Sequence, residues 1–272
     1  MKTCGIKTII AGICFFLLSV AAFGQSFILQ DLPVHNTKFG FRYLRPDFDG
    51  ADCLSLLSGI YDFSVSIPVS SKLNIEASVP FVTIADTCGW DSTENAVGNI
   101  YVGLRHFLKS TAEKGITLSL GVFLPTVSEN DYSPYFFAAS TNYYEFQKYI
   151  PNVMTVYGNI AQFLIKSNGL LLNMEIGPDV WIPARGNWEG MELLVHYGLS
   201  AGYRMNAFTF KAELGGRKVI TESGNFTHIV ALGVQSHRGS FRPGIFYKMY
   251  LNEEMREGIS GVIGIKFDIV LK

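Results

Sequence analysis

The chain is short of charge and of cysteine and, past its first two dozen residues, has no long apolar run. Charged side chains make up 17% of its 272 residues, below the roughly 25% of soluble domains. Lys and Arg number 22 against 23 Asp and Glu, so no basic excess exists to engage nucleic acid. The four cysteines are scattered singly, and His35, His106, His196, His228 and His237 lie far apart. Neither set has the close spacing of a zinc site. Asp47, Asp49 and Asp52 lack the spacing and closing Glu of a calcium loop. No catalytic, metal-ligating or cofactor-binding constellation is implied. Internal repeats, low-complexity tracts and interdomain linkers are also missing, which leaves one domain.

The one apolar run is at the start. Lys2 and Lys7 precede an apolar core of 16 residues from Thr8 to Phe23, and Ala22 and Gly24 come just before Gln25. That is the order of a secretory signal peptide, and the core is shorter than the ~20 residues a spanning helix needs. The expected division is therefore 1–24 as signal peptide and 25–272 as the exported domain. Loss of the two signal lysines leaves 20 basic against 23 acidic residues. With no later run of spanning length, such a domain can enter a membrane only as strands.

Strands are what the remainder predicts. Short runs of alternating residues follow one another from about residue 37, separated by Gly-, Asn-, Asp- or Pro-rich turns. Successive side chains of a strand point to opposite faces, so each run has one apolar and one polar face. In the last, Ile259, Gly261, Ile263, Ile265, Phe267, Ile269 and Leu271 share one parity, against Ser260, Gly264, Lys266 and Asp268. Twelve runs are expected at 37–45, 58–69, 72–83, 97–108, 115–126, 151–165, 170–181, 190–204, 207–217, 226–236, 241–250 and 258–271, with ten to fourteen as the range. Short and long connections alternate between them, as in bacterial barrels with tight periplasmic turns and longer external loops. The 21 Phe and 13 Tyr suit aromatic girdles at the two membrane interfaces. The expected fold is all-β: a transmembrane antiparallel up-and-down barrel in the outer membrane of a Gram-negative-type bacterium, surrounded by its lipid. In the run 151–165 the parity is ambiguous, because Tyr157, Ala161, Phe163 and Ile165 compete with Val156, Gly158, Ile160 and Leu164.

A charge facing lipid near the midplane costs ~2–4 kcal/mol, so the polar parity must line the lumen. That places Lys38, Arg42, Arg105, Arg204, Lys211, Arg242, Lys248 and Lys266 opposite Asp62, Glu76, Glu175, Glu192, Glu213 and Asp268, with His196 among them. Two readings stand: an internal network of paired charges, or a path whose charges choose solutes. The stretch 127–150 is unusual for a connection, with Tyr132, Tyr135, Phe136, Phe137, Tyr143, Tyr144, Phe146 and Tyr149. So many rings fold inward or pack on something rather than face water. They predict a segment over or in the mouth, with a short helix at 141–149. It either packs on the rim or forms an aromatic-lined entrance for apolar solutes. One phospholipase barrel family uses a histidine and a serine two apart. Here the residues two after each histidine are Thr37, Leu108, Gly198, Val230 and Gly239, so nucleophilic catalysis has no support.

Four segments carry a family resemblance. Ile75-Glu76-Ala77-Ser78-Val79-Pro80-Phe81, Val97-Gly98-Asn99-Ile100-Tyr101-Val102-Gly103-Leu104-Arg105-His106-Phe107, Leu120-Gly121-Val122-Phe123-Leu124-Pro125-Thr126 and Arg242-Pro243-Gly244-Ile245 resemble strands of an outer-membrane β-barrel transporter family, that of the meta-pathway of phenol degradation. The resemblance implies passage of small hydrophobic or aromatic molecules. Two positions depart from the pattern: Asn99 stands where the family usually has Asp, and Val127 where it has Gly. The alternative function is a non-transporting barrel whose external loops bind a surface partner.

Cys53 and Cys88 are the only cysteines after residue 24 and fall in the first two long connections, on the same expected side. An exported chain meets an oxidising compartment, so a disulfide between them is expected. Closing about 35 residues would stabilise the fold by roughly 3–4 kcal/mol in the chain-entropy account. Non-reducing mass spectrometry with thiol alkylation should find no free thiol in the exported protein; two alkylated cysteines would refute the bridge.

Overall fold

A computed structural model describes residues 36–47, 55–85, 93–111, 113–128, 132–184, 190–221 and 226–271. The expected signal peptide and both Cys53 and Cys88 lie outside those residues. The strands are β1 (Lys38–Asp47), β2 (Gly59–Ser70), β3 (Leu73–Ala85), β4 (Thr93–Val97), β5 (Ile100–Ser110), β6 (Lys114–Leu124), β7 (Val153–Ile165), β8 (Leu170–Pro183), β9 (Glu192–Met205), β10 (Phe208–Val219), β11 (Thr227–Ser236), β12 (Phe241–Tyr250) and β13 (Gly261–Val270). Between β6 and β7 lie helix α1 (Tyr132–Thr141) and a 3-10 helix (Tyr143–Lys148); a single turn, α2 (Glu253–Arg256), precedes β13. Among the described residues no helix is long and apolar enough to cross a membrane.

Strands pair antiparallel in chain order, and β1 bonds to β13 from Lys38↔Val270 to Asp47↔Gly261 while also bonding to β2. The sheet therefore closes on itself. Both β4 and β5 pair with β3, through Phe81↔Val97 and Ser78↔Tyr101. They are two halves of one wall position interrupted at Gly98–Asn99, and the barrel has twelve positions. The expected strand at 97–108 thus starts earlier, at Thr93, and the last starts later, at Gly261. Ile259 does not share the lipid-facing parity: it is buried in an interior cluster.

Facing follows the alternation elsewhere. Leu120, Leu199, Phe210, Ile245 and Ile263 are exposed outward, while Asn74, Ser119, Ser200, Glu213 and Asp268 on the opposite parity are buried. The ambiguous strand β7 resolves in favour of Thr155, Tyr157, Asn159, Ala161 and Phe163 inside, with Val156, Gly158, Ile160 and Leu164 outside. Turns opposite the long connections are tight. The link Asn206-Ala207 works because asparagine tolerates the left-handed backbone found at Asn206, φ 56°. We call that side the turn end and the opposite side the loop end.

Where the first and last strands meet, a row of rings on the lipid face reinforces the ladder. Phe241 stacks on Phe267 at 5.6 Å, Phe267 on Phe41 at 5.9 Å, and Phe41 meets Phe63 at 5.2 Å. Each such pair adds about 0.5–1.5 kcal/mol beyond its buried area.

Leu120 lies in the middle of β6 and is 58% exposed on the outer face. Leu120→Lys should cost about 2–4 kcal/mol in urea unfolding from lipid vesicles. A change under 1 kcal/mol would mean that this face does not meet hydrocarbon.

Candidate functional site

The inner wall is not uniformly polar. Toward the loop end, the inward parity carries Leu44, Ile60, Val82, Ile229, Phe246 and Val262, all nearly or fully buried. They pack in one cluster with Phe137, Ala138 and Ala139 of α1 and with Tyr144 and Tyr149. A second cluster joins Ile150 and Val153 to Trp181 and Leu194, and a third joins Val127 and Tyr135 to Ala96. The connection between β6 and β7 is thus folded inside the barrel, where it fills the loop half of the lumen as a small hydrophobic core.

Its helical part begins earlier than expected, at Tyr132 rather than 141. The rings divide. Tyr135, Phe137, Tyr144 and Tyr149 are buried, Phe136 is exposed, and Tyr143 and Phe146 are half-buried. Phe146 stacks on Tyr143 at 5.5 Å and meets Trp181 at 5.6 Å. The side chain of Tyr132 lies outside the described residues.

Polar side chains of the 3-10 helix reach the wall charges. Arg42 donates to Asp62 at 2.7 Å and also to Glu145. Lys148 bridges the same two carboxylates, at 2.6 Å to Asp62 and 2.9 Å to Glu145. Asn142 donates to Glu145 at 2.6 Å and accepts from Lys248 at 2.8 Å. Arg217 donates to Gln147 and to Asp179, and Asp179 also lies 3.2 Å from Nδ1 of His196. Burial pushes the Glu145 carboxyl up, but Arg42 and Lys148, helped by the Asn142 hydrogen bond, outweigh it and hold the group well below the usual carboxylate range. Arg42 and Lys148 each contact both Asp62 and Glu145, so the four side chains form one network of two basic and two acidic groups.

The strand break is the other fastening. At Gly98 a Cβ would fall 2.5 Å from the carbonyl oxygen of Lys148, so only glycine lets the segment's backbone come this close. Asn99 is fully buried. Its Nδ2 donates to the carbonyls of Gln147 at 3.0 Å and Ile150 at 2.8 Å, and its Oδ1 accepts from the Val127 amide at 3.1 Å. Both departures from the family pattern, Asn99 and Val127, are anchors of this segment.

Below it lies a cavity of about 150 Å³. It exists because neighbouring inward positions on three strands, Gly40, Ser64 and Ser78, are small. Asp268↔Gly40, Gly40↔Ser64, Ser64↔Ser78 and Ser78↔Tyr101 are successive partners around the wall. At the far side, the Tyr101 ring lies over Gly103 and Gly121, where an added Cβ would sit 2.2 Å from its atoms.

Of the residues expected along the lumen, Lys38, Arg42, Asp62, Glu76, Arg105, His196, Lys266 and Asp268 line this cavity. Arg105 bonds Glu76 at 2.6 Å. Glu175, Lys211, Glu213 and Lys248 are buried inside the barrel without lining it, whereas Glu192, Arg204 and Arg242 sit half-buried near strand ends. The sequence reading missed Glu145, Gln147 and Lys148, whose neighbours drew attention as rings. It also passed over Asp179, and although Arg217 shares the polar parity of Lys211 and Glu213 it was not counted among the lumen charges. Among the described residues no group of three or more His, Cys, Asp or Glu is placed to hold a metal.

No family model matches the chain, and no curated protein matches it. Solved structures do match in shape. An outer membrane channel from Pseudomonas putida F1 superposes with a TM-score of 0.63 at 10% identity, over 92% of this chain and 100% of that one. The KdgM porin gives 0.52 at 7% identity, over 86% and 99%, and the NanC porin 0.52 at 10%, over 87% and 99%. The fold is that of twelve-stranded outer-membrane channels and porins; a role in phenol degradation finds no support in these matches.

Asn99→Asp is nearly isosteric but cannot donate to the Gln147 and Ile150 carbonyls. Losing two buried hydrogen bonds, at about 0.5–1.5 kcal/mol each, and setting a carboxylate against two carbonyl oxygens should loosen the segment. Limited proteolysis of the folded barrel should then cut between residues 132 and 150 in the variant and not in the parent. Equal protection of both would show that Asn99 does not hold the segment.

Proposed function

We propose that the protein is an outer-membrane channel for small, apolar or aromatic solutes, exported by its N-terminal signal and throttled by the segment 132–150. One observation carries this reading. The segment fills only the loop half of the lumen, and a cavity with charged and aromatic walls remains beneath it. An eight-stranded barrel is filled by its own side chains and a sixteen-stranded porin is open; a twelve-stranded wall needs an added element to be narrow. Rings lie at both levels of the path. Phe136, Tyr143, Phe146 and Trp181 stand near the mouth, and Tyr101, Phe123 and Tyr157 form a cluster below. An aromatic solute meets a ring face at each stage, and the paired charges keep the remaining wall wet.

Tight packing of the segment favours a second reading, a sealed barrel whose loops bind a surface partner. Planar-bilayer recording separates the two. Replacing 132–148 by a short Gly-Ser linker should raise single-channel conductance several-fold over a small parental value, with β content unchanged by circular dichroism. If parent and variant both stay sealed, the channel reading fails and the scaffold takes its place.

A further inference from the structure

The exposed charges of this barrel are sorted by end. Among the described residues, those at the turn end are Lys72, Lys109, Lys114, Lys166 and Arg238, with Glu113 as the one acid. Those at the loop end are Asp47, Glu94, Glu253, Glu254 and Glu257, with Arg256 as the one base. The two ends carry opposite excesses of the same size. Lys38, Arg204 and Arg242 share the inward parity, are half-buried, and do not belong to the turn-end rim.

The apolar band sets the depth of that rim. Val69 and Leu108 are exposed on the outer face, and Lys72 and Lys109 follow them by three positions and by one. Lys166 follows the outward Leu164 by two, and Lys114 pairs with Leu164 on the same face. Arg238 precedes the outward Phe241 by three. At about 3.3 Å per residue along tilted strands, all five start within about 10 Å of the hydrocarbon edge, in the layer of the lipid headgroups.

These bases are also spread around the wall, over the β2–β3, β5–β6, β7–β8 and β11–β12 links. A partner capping the mouth would meet the inward Lys38, Arg204 and Arg242 first. The surface that reaches all four outer links together is the surrounding leaflet, which at the turn end is the periplasmic one. Each basic side chain held near an anionic leaflet strengthens association by about fivefold, and the effect is lost beyond a Debye length.

We propose that the turn-end rim selects acidic phospholipids of the phosphatidylglycerol type from the periplasmic leaflet, their phosphates meeting Lys72, Lys109, Lys114, Lys166 and Arg238. The acidic loop end does not share this preference. The inference is independent of whether the lumen conducts.

Brominated lipids quench tryptophan on contact and so read the choice of lipid at one place on the wall. Leu108→Trp puts a reporter on the outer face at the turn end, and Ile263→Trp puts one on the outer face at the loop end. Each full-length variant is folded into phosphatidylcholine bilayers containing brominated phosphatidylglycerol or brominated phosphatidylcholine, and the parent's emission is subtracted. At low salt the Leu108→Trp reporter should favour phosphatidylglycerol by about threefold or more, and the Ile263→Trp reporter should show no such preference. About 1 M salt should abolish the difference. Lys72→Gln, Lys109→Gln, Lys114→Gln, Lys166→Gln and Arg238→Gln combined should remove it at low salt as well. Val69→Trp is the second turn-end reporter should Leu108→Trp fail to fold. Equal quenching by both lipids at the turn end would overturn the proposal and leave the rim to an acidic soluble partner. The same preference at both ends, or one that survives high salt or the combined substitution, would overturn it too.

Discussion

In hydrocarbon no water can bond a free backbone amide, so a membrane sheet has to close. Here closure is made by the ten-residue β1–β13 ladder, backed on its lipid face by the row Phe241, Phe267, Phe41 and Phe63. Closing at twelve positions fixes a lumen wider than wall side chains fill by themselves. The remaining features answer that excess space: apolar inward residues at the loop end, a connection long enough to turn inside, and a strand broken where that connection is fastened.

The segment is held mainly by packing. Buried ion pairs roughly break even against the desolvation of their members, although removing one partner of such a pair typically costs 3–5 kcal/mol. The contacts of Arg42, Lys148, Asp62 and Glu145 therefore set the register of the segment more than they bind it. The binding comes from Leu44, Ile60, Val82, Ile229, Phe246 and Val262 closing on Phe137, Ala138, Tyr144 and Tyr149. A barrel whose loop half is packed like a globular core and whose turn half is polar and partly empty has a directional lumen.

Small residues do as much as large ones. Gly98 admits the segment's backbone, Gly103 and Gly121 let Tyr101 lie flat on the wall, and Gly40, Ser64 and Ser78 leave the cavity open. Enlarging Gly98 would push against the carbonyl of Lys148, to which the Asn99 amide donates at 2.7 Å.

By itself the sequence determined the strands and their facing. Alternation is a local property, and charges such as Lys211, Glu213 and Asp268 can stand on only one side of a membrane wall. It also marked the connection at 127–150 by its rings, and Asn99 and Val127 as departures. The inward apolar residues Leu44, Ile60 and Val82 could have been read as well, since each breaks a polar parity at the same end of its strand. Only the tertiary structure decided the parity of β7, where both faces are apolar enough, and the use of the segment's polar residues. Arg42 meets Glu145 across 103 positions of chain, and Lys248 meets Asn142 across 106. Such contacts depend on which strands face each other across the closed barrel. No periodicity within a strand encodes that.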